Sequence, residues 1–333
     1  GRKKLFAIPG VGPATYALLH RKSEAFQQAE QILSNTEKTG IEILFHSDKK
    51  FPSRLRHIPD APSLLYTKGP ANLNHNRIMA IVGTRQSTSY GISFTRELIH
   101  QLKPYNPLII SGLAYGIDIN AHRASLGCGL STAAILAGGL DYIYPADHGR
   151  IAMQMTDQGA LITEHPPGTA PEAHRFPARN RIIAGMADAV LVTEARIKGG
   201  ALITARLAND YDREVFALPG PVDSPASAGC HNLIKRNQAH LVTSSRDIIE
   251  ILDWEGDAAE KKSLIIEEEN LPVTERRIYA YLTDESFSRS IDQISWSTNL
   301  TIHETATALL QLEFKGLVKS LPGKHYRAHQ PKT

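Results

Sequence analysis

The alternation of short apolar runs with longer amphipathic stretches, between residues 78 and 252, constrains the fold more than any other feature of this sequence. A short run of apolar and β-branched residues indicates a buried strand, whereas apolar residues spaced three or four apart indicate a helix. Strands and helices that alternate in this way predict βαβ units. We therefore expect an α/β fold with a doubly wound, mostly parallel sheet.

Seven strands and seven helices are predicted in this region, and together they make one domain at residues 71–254. The strands are expected at residues 78–82, 107–111, 132–137, 160–164, 189–193, 214–218 and 240–243. The helices are expected at residues 90–103, 118–126, 149–157, 178–186, 201–211, 230–237 and 245–252.

The rest of the 333-residue chain is long enough for further domains. Residues 1–70 are predicted to form a small helical domain of the helix-hairpin-helix or SAM-like type, because residues 8–14 read IPGVGPA, a tight turn between two helices. The backbone amides of this turn either approach a DNA phosphate or simply cap a helix, and the sequence leaves both interpretations open. A charged, aperiodic linker is expected at residues 255–270.

Residues 271–333 are predicted to form a winged-helix domain, with three helices followed by two short strands around a turn at Pro322-Gly323. In a DNA-reading winged helix the third helix enters the major groove. Here that helix carries Glu304 and Glu313 and almost no basic residue before Lys315. We therefore expect this domain to contact protein or to bind DNA weakly.

Cysteine usage and hydropathy indicate a cytoplasmic protein. Cys128 and Cys230 form neither a CxxC motif nor a metal-ligand spacing, as expected of buried cysteines in a reducing compartment. No apolar stretch reaches the roughly 20 residues that a membrane span requires. Prolines and glycines interrupt the apolar run near residue 8, so we expect no targeting segment.

The formal net charge of +3 is unevenly distributed along the chain. Residues 1–70 hold 11 Lys and Arg against 6 Asp and Glu, a balance of +5. Residues 71–255 hold 16 against 17, and residues 256–333 hold 10 against 11, so each of these parts has a balance of −1. An anion site in the central domain must therefore come from local clusters of basic residues.

The first strand of the central domain ends in Gly83-Thr84-Arg85-Gln86-Ser87, not in the GxGxxG turn of a dinucleotide enzyme. Gly83 permits a tight turn, and Arg85 places a fork of donors at the carboxyl edge of the sheet, where ligands of such folds bind. The pattern indicates a phosphate site. An ordinary turn, with Arg85 in a surface ion pair, is the alternative.

The second strand ends in Ser111-Gly112 and continues through Leu113-Ala114-Tyr115-Gly116-Ile117 to Asp118 at the beginning of a helix. Asp118 and His122 resemble part of a catalytic triad, but no GxSxG elbow supplies a nucleophile. We therefore expect Asp118 to cap the helix and His122 to form a hydrogen bond beneath the loop.

Residues 174–185, which read HRFPARNRIIAG, place Arg175, Arg179 and Arg181 at the beginning of a predicted helix, with Phe176 between them. Arginines at a helix N-terminus oppose the macrodipole and favour a bound anion. A base stacked on Phe176 between guanidinium-bound phosphates is typical of single-strand binding. In the alternative interpretation Phe176 packs in the core and an arginine pairs with Asp188 or Glu194.

These blocks, together with Ala121-His122 and Val215-Phe216-Ala217-Leu218-Pro219-Gly220, occur in the order found in the DNA-processing protein A (DprA or Smf) family, which this chain resembles across residues 77–253. The resemblance implies an extended Rossmann-like core and a homodimer that binds single-stranded DNA in a positive pocket. It also implies a partner, the recombinase RecA, which such proteins load onto incoming DNA during natural transformation. No catalysis and no cofactor are implied.

The resemblance and the loop chemistry together predict a DNA-binding set. Its members are Gly83, Arg85, Ser111, Gly112, Arg175, Phe176, Arg179, Asn180, Arg181, Lys198, Gly199 and His231. Substitution of Arg85 or Arg179 by Ala is expected to weaken DNA binding and to leave folding intact.

One block departs from the family pattern. Where the family commonly has a Ser-Gly-Ser/Thr-Leu turn, this chain has Lys198-Gly199-Gly200-Ala201-Leu202, so two hydroxyl groups are missing. The amides of Gly199 and Gly200 still form a potential anion nest. His231, in a further block that fits the family, either reaches the pocket or is a buried structural histidine.

Two alternatives from other classes remain open. One is a nucleotide phosphoribohydrolase of related fold, which binds phosphate through a glycine-rich turn. In that group the turn is followed by a catalytic glutamate, whereas here the residues from Gly199-Gly200 to Arg206 include an arginine and no carboxylate. The other is an interaction scaffold whose arginines contact a protein. No metal site is expected, because none of the 14 histidines lies in an HExxH motif or a tight ligand set.

Overall fold

The computed structural model describes residues 22–255, 271–283, 289–321 and 325–328, with residues 6, 12, 13 and 15. The chain divides into a first unit, Gly1–Glu255, and a second unit, Gly256–Thr333. The predicted hairpin at residues 8–14 and the predicted linker at residues 255–270 lie mostly outside the described residues.

The first unit is built on one nine-stranded sheet, with the strand order β1-β2-β6-β5-β4-β3-β7-β8-β9. Its strands are β1 (Glu42–Phe45), β2 (Leu64–Lys68), β3 (Ile78–Val82), β4 (Leu108–Ser111), β5 (Thr132–Ile135), β6 (Ala160–Thr163), β7 (Ala189–Val192), β8 (Glu214–Ala217) and β9 (His240–Leu241). All seven strands expected from the sequence are present, each within one residue of its predicted bounds except that β5 and β9 end two residues earlier than predicted.

The seven strands from β3 to β9 are parallel, whereas β1 and β2 run antiparallel to their neighbours. The chain moves outward from β3 through β4, β5 and β6, and then returns to the other side of β3 as β7. This reversal creates a crevice at the carboxyl ends of β3 and β7, where ligands of doubly wound sheets bind.

Helices cover both faces of the sheet. They are α1 (Lys22–Thr39), α2 (Ser53–Arg56), α3 (Ser89–Leu102), α4 (Ile117–Cys128), α5 (Gly149–Gln158), α6 (Arg175–Met186), α7 (Ala201–Asp210), α8 (Ala228–Lys235) and α9 (Ser245–Ile251). Residues of α2, α6, α7 and α8 pack on one face, and residues of α3, α4, α5 and α9 pack on the other. The predicted doubly wound α/β fold is confirmed.

The sheet begins earlier in the chain than the sequence indicated. Residues 42–68, assigned above to the helical N-terminal domain, contribute β1 and β2, and β2 pairs with β6 through Tyr66 and Thr163. Leu44 and Leu65 are buried in the core of the sheet. Each strand is only four or five residues long, so its period-two pattern is too short to distinguish from a loop.

The described residues of the second unit form three helices and a small sheet, the arrangement of a winged helix. Its elements are α10 (Val273–Thr283), β10 (Arg289–Ser290), α11 (Ile291–Thr298), α12 (Ile302–Phe314), β11 (Val318–Leu321) and β12 (His325–Ala328), with the strands in the order β10-β12-β11. Ile278, Ile294, Leu309 and Leu312 form the centre of its core. The predicted winged-helix outline is therefore confirmed.

Candidate nucleic-acid interface

The loop that follows β3 is held in place by Glu194, which lies just beyond β7. The Thr84 amide donates to the backbone oxygen of Glu194 at 2.7 Å. The buried Glu194 carboxylate accepts from the Thr88 amide at 2.9 Å and from the Thr88 hydroxyl, at the beginning of α3. A carboxylate at a helix N-terminus complements the helix dipole. Glu194 therefore holds the loop that carries Arg85, and its role was not foreseen from the sequence.

Arg85 projects from this loop over an aromatic ring. Its guanidinium carbon lies 5.5 Å from the ring centroid of Phe176, in cation–π range. The Tyr144 ring lies 5.6 Å from Phe176 on a centroid-to-centroid basis. Arg85 and Tyr144 are exposed, and Phe176 is half-buried. A cation and two aromatic rings thus form one accessible surface at the carboxyl edge of the sheet.

A narrow cleft lies beside this surface. It is lined by Arg85, Gly112, Ala114, Tyr115, Tyr144, Pro145 and Phe176. Of the predicted set, only Arg85, Gly112 and Phe176 line this cleft. Neither tyrosine was in the predicted set. Tyr144 lies in the DYIYP segment at residues 141–145, where an isolated tyrosine carries no motif signal, and Tyr115 lies in the block at residues 111–118, where only Ser111 and Gly112 were selected.

Residue 112 must be glycine because the side chains of Arg179 and Asp118 occupy the space that a Cβ would need. A Cβ at this position would lie 2.5 Å from Arg179 Nη2 and 2.8 Å from Asp118 Oδ2. Asp118 Oδ2 accepts a hydrogen bond from the Gly112 amide at 3.1 Å, and Arg179 Nη1 donates to the Gly112 oxygen at 2.9 Å. The loop after β4 is thus held from both sides.

Asp118 and Arg179 are both almost fully buried. Burial raises the pKa of the Asp118 carboxyl above its usual range, although Arg179 acts in the opposite direction. Burial likewise lowers the pKa of Arg179 to about 10, with Asp118 opposing this change. Asp118 was expected to cap α4, but the residue at the N-cap position is Gly116, and the carboxylate instead accepts the loop amide of Gly112.

His122 lies beneath the same loop, as expected, and is completely buried. Its Nδ1 lies 2.7 Å from the Thr132 hydroxyl oxygen, and its Nε2 has no hydrogen-bond partner among the described residues. Burial lowers the pKa of His122 to about 3, and the nearby His148 and Arg179 contribute to the same direction. The imidazole is therefore neutral in the folded protein at neutral pH.

The other arginines of the predicted cluster contact groups of the chain itself. Arg175 Nη1 donates to the Ala170 oxygen at 2.5 Å. Arg181 pairs with Glu164 and donates to the Asp60 oxygen at 2.7 Å. The anions that this cluster was expected to require are thus partly supplied from within the protein. Arg85 is the most exposed of the four predicted arginines.

The carboxylates considered as partners of the cluster are engaged elsewhere. Asp188 accepts from Arg54 Nε at 2.6 Å and from the Ile78 amide at 2.8 Å. Glu194 holds Thr88, as described above. The alternative interpretation, in which the cluster pairs with these two residues, is therefore wrong for both.

The remaining predicted residues lie outside the cleft lining. Ser111 is buried and donates to the Ile81 oxygen at 2.6 Å, and Gly83 lies against Ile117. Asn180 accepts from Arg179 Nε at 3.2 Å. His231 Nε2 lies 3.0 Å from the Gly220 oxygen. Lys198 is exposed in the loop after β7, next to Gly199.

No helix among the described residues is both long and apolar enough to cross a membrane. The same residues contain no cluster of three His, Cys, Asp or Glu side chains that could hold a metal ion. The fold and this surface define the class of protein. It is a doubly wound α/β protein with a cationic and aromatic surface at the carboxyl edge of its sheet and an additional winged-helix domain.

Comparison with known proteins identifies the family. The family model for DNA recombination-mediator protein A matches residues 42–253, and that for the DprA winged helix domain matches residues 267–324. The chain belongs to the DprA/Smf family. It is 36% identical over 333 aligned residues to protein Smf of Synechocystis, covering 89% of this chain and 82% of that protein.

Two solved structures are similar to this chain. The X-ray structure of DNA processing protein A from Streptococcus pneumoniae has a TM-score of 0.61 and 39% identity, covering 63% of this chain and 74% of that chain. DNA processing protein A from Helicobacter pylori, solved for insight into its single-stranded DNA binding mode, has a TM-score of 0.58 and 29% identity, covering 64% and 95%.

The Arg179→Ala substitution is expected to destabilise the first unit by roughly 3 kcal/mol, because it leaves the buried Asp118 without its opposite charge. This corrects the expectation from sequence that folding would be unaffected. The exposed Arg85→Ala change should alter stability by about 0.5 kcal/mol or less. Denaturant unfolding, followed by Trp254 fluorescence in a Trp296→Phe background, measures both. Equal stability of the two variants would contradict the assigned role of Arg179.

Acidification should destabilise the protein through His122. The unfolded chain protonates this imidazole near pH 6.5, whereas the folded protein resists protonation until about pH 3, so stability falls as the pH decreases through this window. Between about pH 7 and about pH 5 the free energy of unfolding of the wild type should fall by roughly 2 kcal/mol more than that of the His122→Gln variant. Substitution of the exposed His100 is the control and should leave the pH dependence of the wild type unchanged. Parallel curves of unfolding free energy against pH for the wild type and His122→Gln would disprove the assignment.

Proposed function

We propose that this protein binds single-stranded DNA through the surface formed by Arg85, Phe176 and Tyr144. In this proposal it is a recombination mediator that protects incoming DNA and loads RecA onto it during natural transformation in the bacterial cytoplasm. The observation that carries the proposal is the exposed Arg85 guanidinium 5.5 Å from the Phe176 ring centroid, beside Tyr144. Membership in the DprA/Smf family supports it.

Single strands fit this surface better than duplexes. A base of an unpaired strand offers its flat face to Phe176 or Tyr144, while Arg85 holds an adjacent phosphate. The bases of a duplex are stacked on each other, and their faces are not available. The similar protein from Helicobacter pylori, whose single-stranded DNA binding mode has been studied, supports this choice.

Lys198 and the Gly200 amide provide a second contact for the strand in this proposal, whereas the Gly199 amide donates to the Arg196 oxygen at 2.8 Å. They lie in the loop between β7 and α7, at the same carboxyl edge of the sheet as Arg85. Lys198 is exposed, so its ammonium group can reach a phosphate without losing an internal ion pair.

We propose that the protein binds DNA without catalysing a reaction. Asp118 and His122 are buried beneath the loop, and the Glu194 carboxylate is occupied by Thr88. Burial raises the pKa of Cys230 to about 12, which keeps this thiol protonated and unreactive. These features disfavour a phosphoribohydrolase, which needs an accessible carboxylate at the ligand.

Anisotropy of a labelled oligo-dT strand across a salt series tests the binding site. Arg85→Ala should weaken binding by about 1.5–3 kcal/mol and lower the slope of log affinity against log salt by about 0.7. Phe176→Ala should weaken binding by about 1–3 kcal/mol and leave the slope unchanged, because stacking releases no counterion. These two signatures separate the phosphate contact from the base contact.

Arg123→Ala, which removes an exposed arginine from α4, is the matched control and should retain full affinity. Normal binding by both Arg85→Ala and Phe176→Ala would disprove the site.

The same variants test the loading of RecA. On single strands covered by single-strand-binding protein, RecA begins to hydrolyse ATP only after a lag; the wild type should shorten this lag, and the two variants should not. A wild-type protein that binds DNA but never shortens this lag would exclude the mediator role.

We also propose that the protein is a homodimer. Strand β9 lies at one end of the sheet, and its residue Leu241 is 49% exposed. An exposed edge strand with an apolar side chain favours pairing with another chain. Sedimentation velocity should give a dimer that Leu241→Arg converts to a monomer, whereas Met153→Arg, an exposed apolar-to-Arg change on α5, leaves it dimeric. A monomeric wild type would refute this assignment.

A further inference from the structure

The helix pair α11 and α12 of the second unit has an outward surface without cations. Residues 290–314 include Asp292, Glu304 and Glu313 and no Lys or Arg. The next cation, Lys315, is bound by the largely buried carboxylate of Glu275. A winged helix that reads DNA needs cations to neutralise phosphates near this helix pair. This surface is therefore poorly suited to DNA.

Helices α11 and α12 also expose large apolar side chains. Trp296 is 88% exposed, Phe314 78%, Ile302 57% and Leu310 50%. A globular protein gains nothing by keeping a tryptophan and a phenylalanine almost fully in water. Exposed apolar groups that occur together, with polar groups around them, are typical of protein-binding surfaces, and Trp is enriched where binding energy concentrates.

Helix periodicity places two of these residues on the side of α12 that faces away from the core. Leu310 and Phe314 are four residues apart, so they lie one turn apart on the same face. The buried residues of this helix, Thr305, Ala308, Leu309 and Leu312, occupy the opposite side. The apolar outward stripe is therefore no part of the core of the second unit.

At the beginning of α12 the surface becomes concave. A groove is lined by Asp292, Ser295, Trp296, Asn299, Leu300, Thr301 and Ile302. Glu304 rigidifies this end of the helix, because its carboxylate accepts from the Thr301 amide at 2.9 Å and from the Thr301 hydroxyl at 2.7 Å. A groove that is already rigid loses little conformational entropy on binding.

We propose that this surface, the α11–α12 face defined by Trp296, Ile302, Leu310 and Phe314, docks a basic amphipathic helix of another protein. The apolar side of such a helix would cover the four exposed side chains. Its flanking Lys or Arg residues would complement Asp292, Glu304 and Glu313, which no cation of residues 290–314 offsets. Recognition of an apolar helix face by a groove is a recurring mode of binding. This inference does not depend on the DNA site.

Two designed helical peptides of equal length test the docking. One alternates Leu with Lys in an amphipathic pattern, and the other has Glu in place of every Lys. They are titrated into the full chain with Trp254→Phe, so that the exposed Trp296 is the remaining tryptophan. The Lys peptide should shift the emission of Trp296 to the blue, with an affinity that falls as salt is added, and the Glu peptide should give no shift.

Phe314→Ser and Ile302→Ser should each weaken binding of the Lys peptide about tenfold or more. Val222→Ser, which removes a 92% exposed apolar side chain from the first unit, is the matched control and should leave the affinity unchanged. Binding of oligo-dT should be the same in Phe314→Ser as in the wild type. This result separates failure of the docking surface from failure of the DNA site.

Four results would overturn the proposal. They are absence of binding by the Lys peptide, equal binding by the Glu peptide, a Trp296 emission shift caused by oligo-dT that Phe314→Ser abolishes, and self-association of the full chain that Phe314→Ser abolishes. The third would assign the face to nucleic acid, and the fourth would assign it to a second copy of this chain.

Discussion

Two opposite charges buried on either side of Gly112 support the whole ligand edge of the first unit. Asp118 accepts the Gly112 amide and Arg179 donates to the Gly112 oxygen, so the loop after β4 is joined to both α4 and α6. Arg179 also donates to the Ile135 oxygen at the end of β5. Because isolated buried charges are costly, each of these groups stabilises the position of the other. Phe176 lies on α6, which this arrangement positions, and Arg85 lies on the loop that Glu194 holds.

The arginines of this edge differ in role because they differ in surroundings. Arg179 is buried and structural, and Arg175 and Arg181 join α6 to neighbouring loops. Arg85 lies over Phe176, exposed to solvent. The four arginines predicted from the sequence thus divide into three that contact groups of the chain itself and one, Arg85, that is exposed. Long side chains with several donors suit both purposes.

The two units present surfaces of opposite chemistry. The edge of the first unit combines an exposed arginine with aromatic rings, as suits an anionic strand of bases. The α11–α12 face of the second unit combines three carboxylates with exposed Trp296 and Phe314, as suits a basic, apolar protein segment. Each surface disfavours the ligand of the other, because the sign of its charge is reversed. One chain can therefore contact DNA and a protein by independent means.

The sequence by itself determined the order and type of the elements from β3 to α9, the winged-helix outline and the family, because periodicity and motif blocks are local properties of the chain. Tertiary structure alone decided that residues 42–68 join the sheet, since β2 pairs with β6 across nearly a hundred residues. It also decided which predicted site residues face solvent. Burial of Arg179, capture of Arg181 by Glu164 and placement of Tyr144 beside Phe176 all depend on distant segments, and spacing along the chain carries no information about such contacts.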